Sequence, residues 1–193
     1  MSEEIDESKL IKRLKKRDER AFATMVQLYQ NRVFGLVFRM LGDRAEAEDL
    51  AQEVFVTVFK SIDSFRGDSK FSTWLYRIAT NHCKNRIKYL QRRHHKRTKD
   101  IDDTNETEFT SPLTPRSTRP DEMAGARQLE KIIQQSLAEL DEEHRVVIIL
   151  RDIDHLSYTE IAEITGVAEG TVKSRIFRGR ASLRALVEEK SNR

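Results

Sequence analysis

All three prolines of this 193-residue chain, Pro112, Pro115 and Pro120, lie close together in its second half. Proline removes a backbone donor and blocks a helix interior, so every residue before 112 is free of the strongest helix breaker. Apolar residues use that freedom with helical spacing. Phe22, Met25, Val26, Tyr29, Val33, Leu36, Val37 and Met40 advance in steps of three and four, one face of a long helix. Gly42 is placed to end it, and Asp43 to cap the next helix with Glu46 three positions on. That second helix is expected to bury Leu50, Val54 and Val58, with Phe55 and Ile62 as further candidates. A polar loop, Asp63–Lys70, leads to a third helix from about Phe71, with Trp74, Leu75, Ile78 and Ile87 facing inward. No alternating strand pattern occurs, and the expected fold class is all-α.

The prolines sit in a Ser/Thr/Asp-rich stretch with almost no large apolar residue. Such a stretch buries too little surface to offset its ordering entropy, so residues 98–120 are expected to be a flexible linker. A connection this long does not belong inside one compact domain. The chain is therefore expected to divide into helical units over residues 1–97 and 121–193.

Charge separates along the same lines. The net charge is only +3, yet residues 82–97 hold Lys84, Arg86, Lys88, Arg92, Arg93, Lys96 and Arg97 with no acid. Residues 98–167 are predominantly acidic, and residues 168–193 return to a basic balance. Two separated basic patches suggest two contacts with a polyanion. The first twenty residues are mostly charged, and no run approaches the roughly 20 apolar residues of a membrane span. A soluble, unsecreted protein is expected. Cys83, the single cysteine, excludes an internal disulfide framework and a cysteine-built metal site.

The sharpest motif is SYTEIAEITGVAEGTVKSRIFRGR, residues 157–180. Ser157 and Glu160 form a capping box. Ala162, Gly166 and Val172 have the spacing of a helix-turn-helix: a small residue at the crossing, a left-handed turn and a β-branched residue beneath. With Val172 and Ile176 inward, Thr171, Lys173, Ser174, Phe177 and Arg178 lie outward or at the edge, flanked by Arg175 and Arg180. Such a face suits the major groove, where arginine bonds guanine edges and other cations hold phosphates.

The third helix and its preceding loop carry a different set: Phe65, Arg66, Lys70, Phe71, Trp74, Arg77, Asn81, Lys84 and Asn85. Aromatics and arginine give stacking surfaces to unpaired bases, amides read base edges and lysines follow the backbone. Phe71 and Trp74 fit a hydrophobic core equally well. Enzymatic readings are poorer. His82 and Cys83 are adjacent and so point about 100° apart on a helix, no oxyanion turn follows, and Cys83 reads as a buried structural thiol. His82, His94 and His95 with Cys83 match no familiar zinc spacing. No catalytic residue, metal or cofactor is expected.

On these motifs the chain resembles the bacterial extracytoplasmic-function (group 4) sigma factors of the sigma-70 family. The stretch DLAQEVFVTVFKSIDSFRGDSKFSTWLYRIATNHCKN resembles their region 2, and LDEEHRVVIILRDIDHLSYTEIAEITGVAEGTVKSRIFRGR their region 4. The resemblance implies two helical domains, sigma-2 and sigma-4, in a cytoplasmic factor that brings core RNA polymerase to promoter DNA. It further implies that Asp49, Leu50, Gln52, Glu53 and Phe55 lie in the polymerase-docking segment. Phe65 to Asn85 would form the −10 reader, capturing a flipped base, and Thr171 to Arg180 the −35 duplex reader. A partner anti-sigma factor, in some relatives membrane-anchored, is implied as well; a small-molecule substrate is not. Lys173 stands where many relatives carry arginine, which turns a bidentate guanine contact into a point charge. The residues alone also fit a helix-turn-helix repressor or activator with an N-terminal partner module.

Overall fold

The computed structural model describes residues 7–97 and 120–192. Among these there are eight α-helices and no strand: α1 (Glu7–Lys15), α2 (Glu19–Leu41), α3 (Arg44–Ser61), α4 (Phe71–Arg97), α5 (Pro120–Glu139), α6 (Glu142–Ile148), α7 (Tyr158–Thr165) and α8 (Glu169–Ser191).

Local chemistry sets most boundaries. Asp18 caps α2 by accepting from the amides of Arg20 and Ala21. Gly42 closes that helix at φ 78°, a left-handed conformation that glycine adopts without steric cost, and its N–H returns to the Phe38 carbonyl. Asp43 then caps α3 through the Glu46 amide. Pro120, assigned to the linker on composition, is instead the first residue of α5, where a missing N–H costs nothing. The rest of the linker, 98–119, lies outside the described residues, as do the side chains of His94 and His95.

The first four helices form one bundle. α2 packs on α3 and α4, which also pack on each other, around Met25, Leu36, Leu50, Val54, Leu75 and Cys83. α1 is an addition to the expected scheme. Leu10 and Leu14 bury one face of it, while Lys15 Nζ donates to the Phe65 carbonyl at 2.7 Å and Arg17 reaches the Phe59 carbonyl and Asp63.

The last four helices enclose Leu137, Val146–Leu150, Ile161, Ile164, Val172 and Ile176. α6 runs into a single wide π turn, Ile149–Ile153. α8 crosses α6 at Gly179, where a Cβ would stand 3.0 Å from Ile148 Cγ1 and 3.3 Å from His144 Cβ. The two halves also touch: α2 meets α5 and α6, and α4 meets α7. Arg145 Nη1 donates to the Met40 carbonyl at 2.6 Å, and Gln134 Nε2 to the Phe38 and Arg39 carbonyls at 3.3 and 3.4 Å.

Candidate nucleic-acid and polymerase surfaces

α3 divides its residues cleanly. Leu50 and Phe55, grouped with the docking segment on sequence, are turned into the core, at 1% and 8% exposure. Asp49, Gln52 and Glu53 are exposed on the opposite side. One turn further on, Val56 extends that stripe as an exposed apolar residue. It was not singled out on sequence, although it falls seven residues after Asp49, the repeat of one helix face. A polar network from α4 braces the stripe. Arg86 forks between Glu46 and Glu53, the latter at 2.7 Å. Burial of Arg86 works against its charge, but the Glu46 hydrogen bond and the Glu53 charge outweigh it and raise its pKa. His82 shares a 3.0 Å hydrogen bond with Thr57, and burial lowers its pKa.

The aromatic set beside this bundle forms a wall. Phe65, Phe71 and Trp74 are all buried, with ring centroids 5.4–5.7 Å apart. Phe71 also meets Tyr29 edge-on. These rings pack chiefly on one another, yet the edges of Phe65 and Trp74 still line a cleft of about 450 Å³. Its rim includes Ser64, Arg66, Asp68, Ser69 and Arg77. Ser64, Ser69 and Thr73 were not picked out on sequence, because nothing local marks a small polar residue as a cleft wall. Arg77, Asn81 and Asn85 follow from the rim along the exposed face of α4, with Lys84 half-buried alongside. Lys70 stands exposed at the start of the helix. Its Nζ is 2.9 Å from Glu160 Oε1 of α7, which raises its pKa.

The helix-turn-helix is as the spacing required. The capping box is complete: Glu160 N donates to Ser157 Oγ at 3.2 Å, and Ser157 N to Glu160 Oε2 at 2.9 Å. Gly166 takes the left-handed turn at φ 72°. Val172 and Ile176 are buried beneath α8, and Thr171, Lys173, Phe177, Arg178 and Arg180 are exposed. Phe177 is 78% exposed, the most open of the large apolar residues described. Not every cation on this helix is free to reach outward. Arg175 is half-buried against Glu143 at 2.6 Å, and Arg180 Nε bonds Asp152 at 3.0 Å. Lys173 lies 5.7 Å from the centre of the Tyr158 ring. Arg178 makes no ion pair among the described residues.

Cys83 is fully buried, and burial pushes its thiol up to about 12. Among the described residues no group of three or more His, Cys, Asp or Glu side chains is arranged to hold a metal ion. None of the described helices is long and apolar enough to cross a membrane.

Residues 25–93 match the family model for sigma-70 region 2, and residues 130–183 that for sigma-70 region 4. The ECF RNA polymerase sigma factor SigW of Bacillus subtilis is 42% identical over 176 residues, covering 91% of this chain and 94% of the relative. The ECF RNA polymerase sigma-E factor of Escherichia coli K12 is 38% identical over 184 residues, 95% of each. The fold is shared with CnrH, solved in complex with the cytosolic domain of CnrY, at a TM-score of 0.66 and 23% identity over 95% of this chain and 97% of that one. It is also shared with RpoE of Bartonella quintana, solved with the anti-sigma factor NepR, at 0.65 and 23% over 86% and 96%. Two sigma-70 regions in order, full-length relatives of one kind and a common fold agree: the chain belongs to the extracytoplasmic-function RNA polymerase sigma factors of the sigma-70 family.

Proposed function

We propose the following division of labour within this sigma factor, a non-enzymatic initiation factor that directs RNA polymerase to promoters. Residues 1–97 act as the sigma-2 domain and 121–193 as the sigma-4 domain. The exposed α3 stripe of Asp49, Gln52, Glu53 and Val56 docks on core polymerase. Leu50 and Phe55 serve it from beneath by fixing the helix. The cleft and the exposed face of α4 take the unpaired −10 strand. Its phosphates follow Arg66, Lys70, Arg77 and Lys84, and Asn81 and Asn85 read base edges. Phe65, Phe71 and Trp74 supply the rigid wall. The outward face of α8 enters the −35 major groove, where Arg178 and Phe177 meet base edges and Thr171, Lys173 and Ser174 meet phosphate and edge groups. Arg175 and Arg180, held by Glu143 and Asp152, chiefly orient the helix.

One observation carries this reading: the chain presents two cation-bearing surfaces of opposite shape, a concave cleft beside α4 with Arg66 and Arg77 in its lining and the convex outward face of α8. A duplex repressor needs only the second. The protein acts in the bacterial cytoplasm, where its polymerase is. Since the Bartonella relative is seen with an anti-sigma factor, an inhibitory protein of that kind is the expected further partner, in some settings membrane-anchored. The test is run-off transcription by purified core polymerase, with and without this protein, on promoters randomised in both elements. Factor-dependent transcripts sharing a two-part motif are expected. Duplex binding at one element with no transcripts would favour the repressor reading.

A further inference from the structure

The sigma-70 region 2 match begins at residue 25, yet the segment before it reaches the mouth of the cleft beside α4. Lys15, the last residue of α1, donates from Nζ to the Phe65 carbonyl at 2.7 Å. Arg17 donates to the Phe59 carbonyl and to Asp63, and its guanidinium stands 5.1 Å from the centre of the Phe59 ring. The turn between α1 and α2 thus grips residues 59–65 at three points. The lining of the cleft begins at the same place, with Ser64, Phe65 and Arg66.

Two features set this grip apart from ordinary surface bonding. Arg17 has φ 61°, a left-handed conformation that glycine takes freely and other residues hold only where their surroundings enforce it. The bonds of its side chain are what arginine offers there and glycine does not. The second feature lies in the loop itself. Among the described residues, Phe65 N returns to the Ile62 carbonyl at 3.1 Å, whereas no main-chain hydrogen bond outside the helices begins or ends on residues 66–69. The course of those residues is therefore set from their flanks. Phe65 is extended, at φ −71° and ψ 111°. A carbonyl fixed in direction fixes that ψ and the plane of the next peptide, and with them the point from which Arg66 departs.

We propose that α1 and the turn after it belong to the −10 reader: Lys15 is a positioning residue that orients the Phe65–Arg66 peptide, and Arg17 anchors the base of the same loop. Through that peptide Lys15 sets both the wall ring of Phe65 and the cation of Arg66. The inference rests on reading the cleft as the site of the unpaired strand, and neither Lys15 nor Arg17 contacts the strand itself. A positioning role differs from an added phosphate contact in what its loss does. A missing phosphate cation weakens every sequence alike. A displaced wall changes the ranking of bases, because stacking and edge hydrogen bonds tolerate little error in position.

The test uses holoenzyme assembled from core polymerase and the full chain. Run-off transcription is measured on promoters that differ by one −10 base or by one −35 base. Lys15→Met removes the donor and keeps an apolar stem; Lys15→Arg keeps a donor. Arg17→Gly releases Phe59 and Asp63 while suiting the left-handed turn. Lys15→Met and Arg17→Gly should each lower the preference for the best −10 base over its variants by about ten-fold, with −35 preference and melting temperature little changed. Lys15→Arg should retain most of the −10 preference. An unchanged −10 preference in both Lys15→Met and Arg17→Gly overturns the proposal. So does an equal loss on every sequence, which assigns Lys15 to phosphate. A loss that follows a lowered melting temperature and recurs in Lys15→Arg overturns it too, because the bond is then a purely structural one. Should the unaltered chain itself ignore −10 sequence, the base-capture reading falls, and the positioning role with it.

Discussion

The two surfaces proposed to face DNA use aromatic residues in opposite ways. In the N-terminal half, Phe65, Phe71 and Trp74 are interlocked, and only Phe65 and Trp74 reach the cleft. On α8, Phe177 stands alone with 78% of its surface exposed. A pocket for a single base must hold its shape before the base arrives, so its rings belong to the core. A helix that inserts into a preformed groove needs no such wall and can leave an apolar side chain waiting for a partner. On the proposed roles, one residue type signals stability in one half and recognition in the other.

Truncation separates these roles most strongly. Trp74→Ala should cost about 3–5 kcal/mol of stability and lower the melting temperature. Phe177→Ala should change stability by no more than about 0.5 kcal/mol while weakening −35 duplex binding. Equal melting shifts would erase the distinction. Next in size, Arg178→Ala should lose about 1–3 kcal/mol at particular −35 base pairs, measured by competition among single-base promoter variants. Arg175→Ala, whose side chain is spent on Glu143, should weaken all sequences alike. Asn81→Ala should reduce −10 discrimination and promoter opening more than duplex binding; unaltered transcription across a series of −10 variants would remove it from the reader. At the α6–α8 crossing, Gly179→Val should cost about 1–3 kcal/mol by overpacking, seen in urea denaturation.

The smallest effect is that of pH on the contact between the halves. Burial pushes Asp154 up to about 6, against the lowering charges of Arg39, Arg32 and His155, and its own charge contributes to raising the pKa of Tyr76. A raised carboxyl makes that contact proton-linked: its stabilising share is complete below its ordinary pKa of about 3.9 and is lost as pH rises through 6. Glu160 has the opposite sign. The Lys70 hydrogen bond, aided by Ser157, lowers it to about 2, so its share is present above its ordinary pKa and is lost as pH falls toward 2. The separation of the halves, read between spin labels at Lys60→Cys and Arg184→Cys, should accordingly be smallest near about pH 4 and increase on either side. Asp154→Asn should flatten the upper limb.

These predictions also mark what was legible in the sequence. Gly42, Asp43, the Ser157–Glu160 box and Gly166 could be read directly, because each acts on backbone within four residues of itself. α1 could not, since its stability comes from burying Leu10 and Leu14 and from Lys15 and Arg17 reaching α3 and the following loop. The dual character of the aromatic wall stayed open for a similar reason, because burial is decided by what packs on top. The engagement of Lys70 by Glu160, 90 residues away, left no trace in composition or periodicity. Capping explains Glu160 fully on its own, and so conceals its second task.

Across the joint between the halves, the bonds of Gln134 and Arg145 go to main-chain oxygens at the end of α2. A carbonyl is present whatever the side chain, so no substitution at 38–40 can delete these bonds outright. This part of the joint is thus adjustable from one side alone. Over evolutionary time its strength can be tuned through positions 134 and 145, while the residues of α2 answer only to the packing of their own bundle.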